Sequence, residues 1–531
     1  MSAPTFSVPV CHPHYSTRRE QYRFVRAAYL GGPEFCASYL TPHPKERTSA
    51  FSRRLERAVY PNLCKVQVNT YSAQLYRSPV ARSVKPAEGE SAREAEAGDE
   101  LLAQEVLEDL WDDVDRLGNN ADTFFKGVAS WCQVFGLSAV LVDRVQLPEG
   151  APTPSSRADE IALGLRPYLV HIQADHILDW QCDARGEFDW ILYVTEAEED
   201  RDPLTLAPAS TAWTYVLWTR EEVRELAFQA ADAETKKAAG WQALTTRPNP
   251  LGLVPVELVF WGERQGRHPL ADSALADLAP MNRRLMNLIN LVDEEVYQHV
   301  FNILAVGEST FDTLAATNWS VAGVLKVRKE DFAPTYLAPG VEQIGAISDE
   351  VEKCIRFMRM LSGNVGRGVD DGFVPPSGVS LAYQSSDKFA LFKEFSNRMS
   401  DLERRVADLA LAWEGIAPPG QEVSIEYAQD FDPVLAARTF EDGLAFQSLA
   451  LGGEPDVENE VQIIRRYFAG SMSPGALGDM IAAHRARRAE QPQARAVEPV
   501  TTPAQPINLE PSQADFEQVG ATASPTAQLN F

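Results

Sequence analysis

The chain has 531 residues, 45% of them hydrophobic, and a formal net charge of −26. This length suffices for a large core and more than one domain, while the excess of carboxylates argues against gripping nucleic acid by neutralising phosphates over the general surface. No apolar run approaches the roughly 20 residues needed to cross a bilayer, and the polar start MSAPTFSVPVCHPHYSTRRE lacks a signal peptide's apolar core, so a cytosol-like compartment is expected. An acidic surface still suits a pore that lets DNA slide, and equally suits nothing beyond solubility. Six cysteines, Cys11, Cys36, Cys64, Cys132, Cys182 and Cys354, show no CxxC pair or zinc spacing and are expected to be reduced core residues.

In chain order, a first helix is expected over Thr17–Leu30 with Tyr22, Val25, Ala28 and Tyr29 on its apolar face. Tyr39–Val80 predicts a turn and two helices broken near Pro61. Arg53, Arg54 and Arg57 cluster on the first of these, an arrangement that on an acidic protein pairs with carboxylates more often than with phosphate. Lys85–Glu105 predicts an exposed acidic loop or a frayed helix start. Helices follow at Leu101–Trp111 and Ala121–Phe135, the latter ended by Gly136. Strands are expected at Ala139–Val142, Tyr168–Ile172, Trp190–Thr195, Trp213–Trp218 and Val254–Trp261, with a Pro- and Ser-rich loop over Gln146–Asp159. Helices followed by a mostly antiparallel sheet define an α+β domain over 1–270.

The centre of the chain has a different rhythm. Leu278, Met281, Leu285, Leu288, Val292, Val296 and Val300 recur at helical spacing over Leu275–Leu304, and Arg283, Asn287, Asn290, Glu294 and Gln298 form a second, polar stripe. A core helix with a solvated back is the plainer account of such a pattern. A strand-like insert, Val306–Ile347, leads to a second amphipathic helix over Ser348–Leu361 with Glu352, Arg356 and Arg359 on its polar face. Asn364–Ser386, rich in glycine and carrying Asp370, Asp371, Phe373, Pro375 and Pro376, predicts a loop. Ser386 then caps a long helix, on which Phe392, Phe395, Met399, Leu402, Val406, Leu409 and Trp413 alternate by three and four. Past Gly415 a strand at Val423–Tyr427 and helices at Pro433–Leu451, Val457–Phe468 and the stretch MSPGALGDMIAAHRARRAEQ are expected, and from Pro492 the Pro-, Gln- and Thr-rich tail predicts disorder.

Motifs for enzyme chemistry are missing. The sequence has no GxxxxGK[ST], GxGxxG after a strand, HExxH or GxSxG. His12 and His14 flank a proline but supply only two ligands, and Asp293, Glu294, Glu295 and Asp370–Asp371 lack a placed third, so solvated charge is the better account. Neither catalysis nor a metal or other cofactor is expected.

Five stretches in order resemble the portal proteins of tailed bacteriophages: YLTPHPKERTSAFSRRLERAVYPNLCKVQVNTYSAQLYRSPV, VDRLGNNADTFFKGVASWCQVFGLSAVLVD, LRPYLVHIQADHILDW, LADSALADLAPMNRRLMNLINLVDEEVYQHVF and GVSLAYQSSDKFALFKEFSNRMSDLERRVADLALAWEG. Together they span most of residues 15–415. The resemblance implies the portal fold of wing, helical stem, clip, tunnel loop and crown, assembled as a ring usually of twelve copies at one vertex of the phage head. The implied parts are a wing over 1–270, stem helices at 271–305 and 348–363, a clip at 306–347, a tunnel loop at 364–386, a long wing helix at 387–415, a crown at 416–491 and a tail at 492–531. It further implies packaging of double-stranded DNA by the terminase and later ejection, without sequence specificity and without a membrane. Terminase, tail adaptor, capsid and scaffold proteins are the implied partners, and the virion, assembled in the host cytoplasm, is the implied location. Arg283, Asn287, Asn290, Glu294, Gln298, Glu352, Arg356 and Arg359 would line the channel through the stem, and the loop residues Asp370 and Asp371 its narrowest point. The alternative is a coiled-coil adaptor built on the Phe392–Trp413 face, with no DNA channel.

Overall fold

The computed structural model describes residues 11–44, 46–86, 97–145, 154, 159, 163–196, 213–229, 240–300, 303–305, 335–337, 342–362, 378–416, 421–428, 431, 457–458, 460–461, 463–464 and 474–490. Four helices open the chain: α1 (Pro13–Leu30), α2 (Gly32–Tyr39), α3 (Thr48–Glu56) and α4 (Leu63–Leu75). Strand β1 (Ala81–Pro86) and helices α5 (Ala97–Asp112) and α6 (Ala121–Phe135) follow. Next come β2 (Leu137–Arg144), β3 (Pro167–Gln173), β4 (Ile177–Cys182), β5 (Phe188–Glu196), β6 (Trp213–Thr219), β7 (Glu222–Gln229), β8 (Gly240–Pro248) and β9 (Val256–Phe260). The second half holds α7 (Leu278–Val300), β10 (Ile303–Ala305), β11 (Thr335–Leu337), α8 (Glu342–Leu361), α9 (Gly378–Trp413), β12 (Gln421–Glu426) and α10 (Pro474–Glu490). Among the described residues every strand pair is antiparallel, so the α+β expectation holds.

The core is a three-stranded sheet in the order β3-β2-β9, packed between α6 and α9. Strand β2 is buried from Leu137 to Asp143, as the apolar run Ala139–Val142 suits when helices cover both faces. Helix α6 starts where the Asn120 side chain accepts the Thr123 amide at 2.9 Å and stops at Gly136, whose φ of 91° only glycine adopts cheaply. A β-carbon at Gly136 would also lie 2.7 Å from the Ala271 and Asp272 backbone. Gly136→Ala is therefore expected to cost about 2 kcal/mol or more in denaturant unfolding, and Gly136→Asn, which tolerates the dihedral but not the contact, to remain destabilised.

The apolar face of α9 lies on this sheet. Phe395, Met399, Leu402 and Val406 are buried, the Trp413 indole donates to Val142 O at 3.0 Å, and Nη1 of Arg398 donates to the carbonyls of Phe260, Trp261 and Gly262. A face used in this way inside one chain is not available for a coiled coil, so the adaptor alternative loses its basis. A second sheet, β4-β5-β6-β7-β8, is tied to the first where Arg247 of β8 forks onto both carboxylate oxygens of Asp143 in β2.

Several boundaries differ from those expected. Strands β1, β4, β7 and β8 were not foreseen, nor was helix α2. Helix α8 begins six residues before Ser348 and runs through Gly345, because pairing with α7 supplies the stability the glycine withholds. Helix α9 begins at Gly378, inside the segment expected to be the tunnel loop, and passes the proposed cap Ser386. Strand β12, expected in the C-terminal part, pairs residue for residue with β1, Ala81 opposite Glu426 and Pro86 opposite Gln421. It therefore closes the N-terminal domain. Pro433–Leu451 and the tail from Pro492 lie outside the described residues.

Candidate functional site

Helices α7 and α8 form an antiparallel hairpin. Cys354 Sγ reaches Met281 O at 3.6 Å, Arg284 pairs with Glu350 at 2.9 Å, and the register continues into the ladder of Ile303 with Leu337 and Ala305 with Thr335. Cys354 is buried at the seam, and burial pushes its thiol up. Glu350, hydrogen-bonded to Lys353 and near Arg284, is held below the ordinary carboxylate value.

Most of the polar stripe on α7 is used inside the chain. Asn282, fully buried, accepts the amides of Leu63 and Cys64 at 2.9 and 3.2 Å and donates to Pro61 O at 2.8 Å. Arg283 donates to Tyr39 O at 3.3 Å and lies over the Tyr39 ring, and Asn287 accepts the Thr41 amide at 2.9 Å. Asn290, 2% exposed, exchanges both amide bonds with the Val59 backbone at 3.0 Å, and Glu294 pairs with Arg57 at 2.8 Å. The five side chains thus stitch α7, from Asn282 to Glu294, to the segment from Tyr39 to Cys64.

Of the side chains expected to line a channel, Asn290 is buried, while Arg283, which stays exposed, and Asn287 and Glu294, which are half-buried, bond to that segment from the helix surface. A helix inside a domain can satisfy loose backbone groups of its neighbours with a polar face as readily as it can meet water. Asn282 was missed although it lies on the same stripe; asparagines at 282, 287 and 290 on an otherwise amphipathic helix were the available signal. The arginine cluster on α3 pairs with carboxylates as expected. Arg54 is buried against Glu46, whose carboxyl that hydrogen bond holds down at about 2, and Arg57 reaches Glu294.

On α8 the expected polar residues are exposed. Glu352, Arg356 and Arg359 face away from α7, with Arg356 and Glu352 3.7 Å apart, giving a surface of both signs. Large apolar side chains are exposed at several places on the hairpin and α9: Val296 and Tyr297 on α7, the latter under the Arg57 guanidinium, Phe357, Met360 and Leu361 near the end of α8, and Leu391 on α9. Gln298 lies in α7, but its side chain is outside the described residues, as are Asp370, Asp371, Phe373, Pro375 and Pro376 and nearly all of 306–341. Among the described residues no three ligating side chains are placed to hold a metal ion, and no helix is long and apolar enough to cross a membrane.

No family model and no curated protein matches the chain. Among solved structures, a chain from the virion of a native gene transfer agent particle is similar at 10% identity and a TM-score of 0.37, over 85% of this chain and 93% of that one. A chain from the neck of an empty gene transfer agent particle is similar at 11% identity and a TM-score of 0.38, over 81% of this chain and 95% of that one. Likenesses this loose establish neither a shared fold nor a shared activity.

Proposed function

We propose that the chain is a portal-type subunit, a non-enzymatic structural protein whose copies close into a ring through which double-stranded DNA enters and leaves a phage head. The observation that carries this reading is the antiparallel α7/α8 hairpin, which brackets an insertion and is followed, after a further segment, by a 36-residue helix lying on the wing sheet. That order is the one the five resembling stretches imply. Phe357, Met360 and Leu361, exposed together near the end of α8, suit burial against a neighbouring copy, since exposed apolar surface marks interaction sites. In this reading Glu352, Arg356 and Arg359 provide a hydrated wall of mixed sign that does not clamp phosphates. The segment 306–341 faces the terminase and later the tail adaptor, and the particle's portal vertex is the location.

Negative-stain electron microscopy of the purified full-length protein tests the proposal. Closed rings with a hole of at least ~20 Å, wide enough for B-DNA, are expected. Stable dimers or trimers with no hole, at concentrations where Phe357→Asp and wild type sediment identically, would refute it.

A further inference from the structure

Three histidines meet where the first turn of α1 lies against β4 and the loop after β9. The His12 imidazole stacks on the Trp180 indole with centroids 4.2 Å and planes 16° apart. His14 lies 5.2 Å from His12 and 4.7 Å from His268, and His12 and His268 are 5.5 Å apart. His12 is also the N-cap of α1. Its Nδ1 accepts the His14 amide at 3.2 Å, while its own amide donates to Leu178 O of β4 at 2.9 Å. The Trp180 indole donates to Nδ1 of His268 across a longer 3.5 Å.

An Nδ1 that accepts a hydrogen bond carries no proton, so both rings are held neutral with the proton on Nε2. Protonating His12 would remove the cap acceptor and place a cation at the positive end of an 18-residue helix. The surroundings oppose it further. Arg264 and Arg267 approach His268 from the loop, and Cys11 and Ser16 on the α1 side bond to each other at 3.0 Å. Asp175, between β3 and β4, is taken by Arg26. Asp179 on β4 is the carboxylate that favours a charged His12.

We propose that His12 and His268, with His14 packed between them, form an acid-release latch: it holds the first turn of α1 on β4 while the His12 and His268 imidazoles are neutral and frees that turn when those two take up protons. This goes beyond the ring reading and does not depend on it. Burial, reinforced by the neighbouring imidazoles and only partly offset by Asp179, depresses His12 below the ordinary 6.5, and burial, His14 and the two arginines depress His268 likewise. A folded value below the unfolded one means that the latched turn binds fewer protons. The latch is therefore complete above about pH 6.5 and weakens as the pH falls below it.

Hydrogen–deuterium exchange of the full-length protein, corrected for intrinsic rates, tests this at about pH 7.5 and about pH 5.5. Protection of amides 14–18 is expected to fall at least ~10-fold on acidification while β2 and β3 stay protected. The double variant His12→Asn with His268→Asn puts an amide oxygen where each Nδ1 lies and cannot titrate at either position, and its protection is expected not to change. Three results would overturn the proposal: unchanged wild-type protection, an equal fall in the double variant, or a parallel fall in β3. The last would place the acid response at the buried His171, which burial pushes down to about 3.

Discussion

Arg82→Ala is expected to lower the unfolding free energy by about 3–5 kcal/mol, the loss typical of a buried ion pair stripped of one partner. Arg82 of β1 donates to Glu403 of α9 at 2.8 Å and to Asp122 of α6 at 2.7 Å. Tyr427 donates to the same Glu403 carboxylate in a very short hydrogen bond, and Tyr76 meets Tyr427 at 3.0 Å. One guanidinium thereby joins β1, α6 and α9. Glu403 is 2% exposed, and burial raises its carboxyl above the ordinary value despite Arg82. Without Arg82 the carboxylate takes a proton more readily, so the deficit at neutral pH should shrink as the pH falls toward 5. Denaturant midpoints across pH measure this. Replacing both partners, Arg82→Met with Glu403→Leu, should recover much of the loss, because apolar side chains of similar volume leave no buried charge unpaired. A single-variant loss under about 1 kcal/mol would show that the pair is as weak as an exposed one.

Asn282→Ala is expected to cost about 2 kcal/mol, since it leaves the Cys64 amide unpaired in a site that water does not reach and removes a second bond from the Leu63 amide and Pro61 O, which also bond to each other at 2.9 Å. The Leu63 and Cys64 amides belong to the first turn of α4, where amides have no intrahelical acceptor, so Asn282 caps that helix from a distance while Asn62 caps it locally at the Lys65 amide. Asn282→Asp keeps the acceptor and suits the helix dipole, losing only the donor to Pro61 O, and should cost less than Asn282→Ala. Equal losses in the two variants, read from urea midpoints, would mean that packing and not capping explains the site.

The same residues show how far the sequence reaches. Helix α6 was expected from Ala121 to Phe135 and occupies those residues, because Asn120 caps it, Gly136 stops it and its apolar face is complete within four turns. The α9 periodicity through Phe395, Met399, Leu402 and Val406 identified a buried face without saying what buries it. Strands β7 and β8 went unseen because β8 is exposed along most of its length and lacks the alternation that marks a half-buried strand. Of the site, the two helices of the hairpin and the exposed Glu352, Arg356 and Arg359 were legible.

Helical period, caps, stops and the α+β class were determined by the sequence itself, since each is decided by residues within a turn or two of one another. Only the tertiary structure decided that β12 pairs with β1 and that α8 runs through Gly345. It alone also decided that the asparagine stripe of α7 grips the segment from Tyr39 to Cys64. A polar side chain has the same local pattern whether it meets water or a loose backbone amide. Asn290 finds Val59 231 residues away, and nothing near it in the chain specifies that choice.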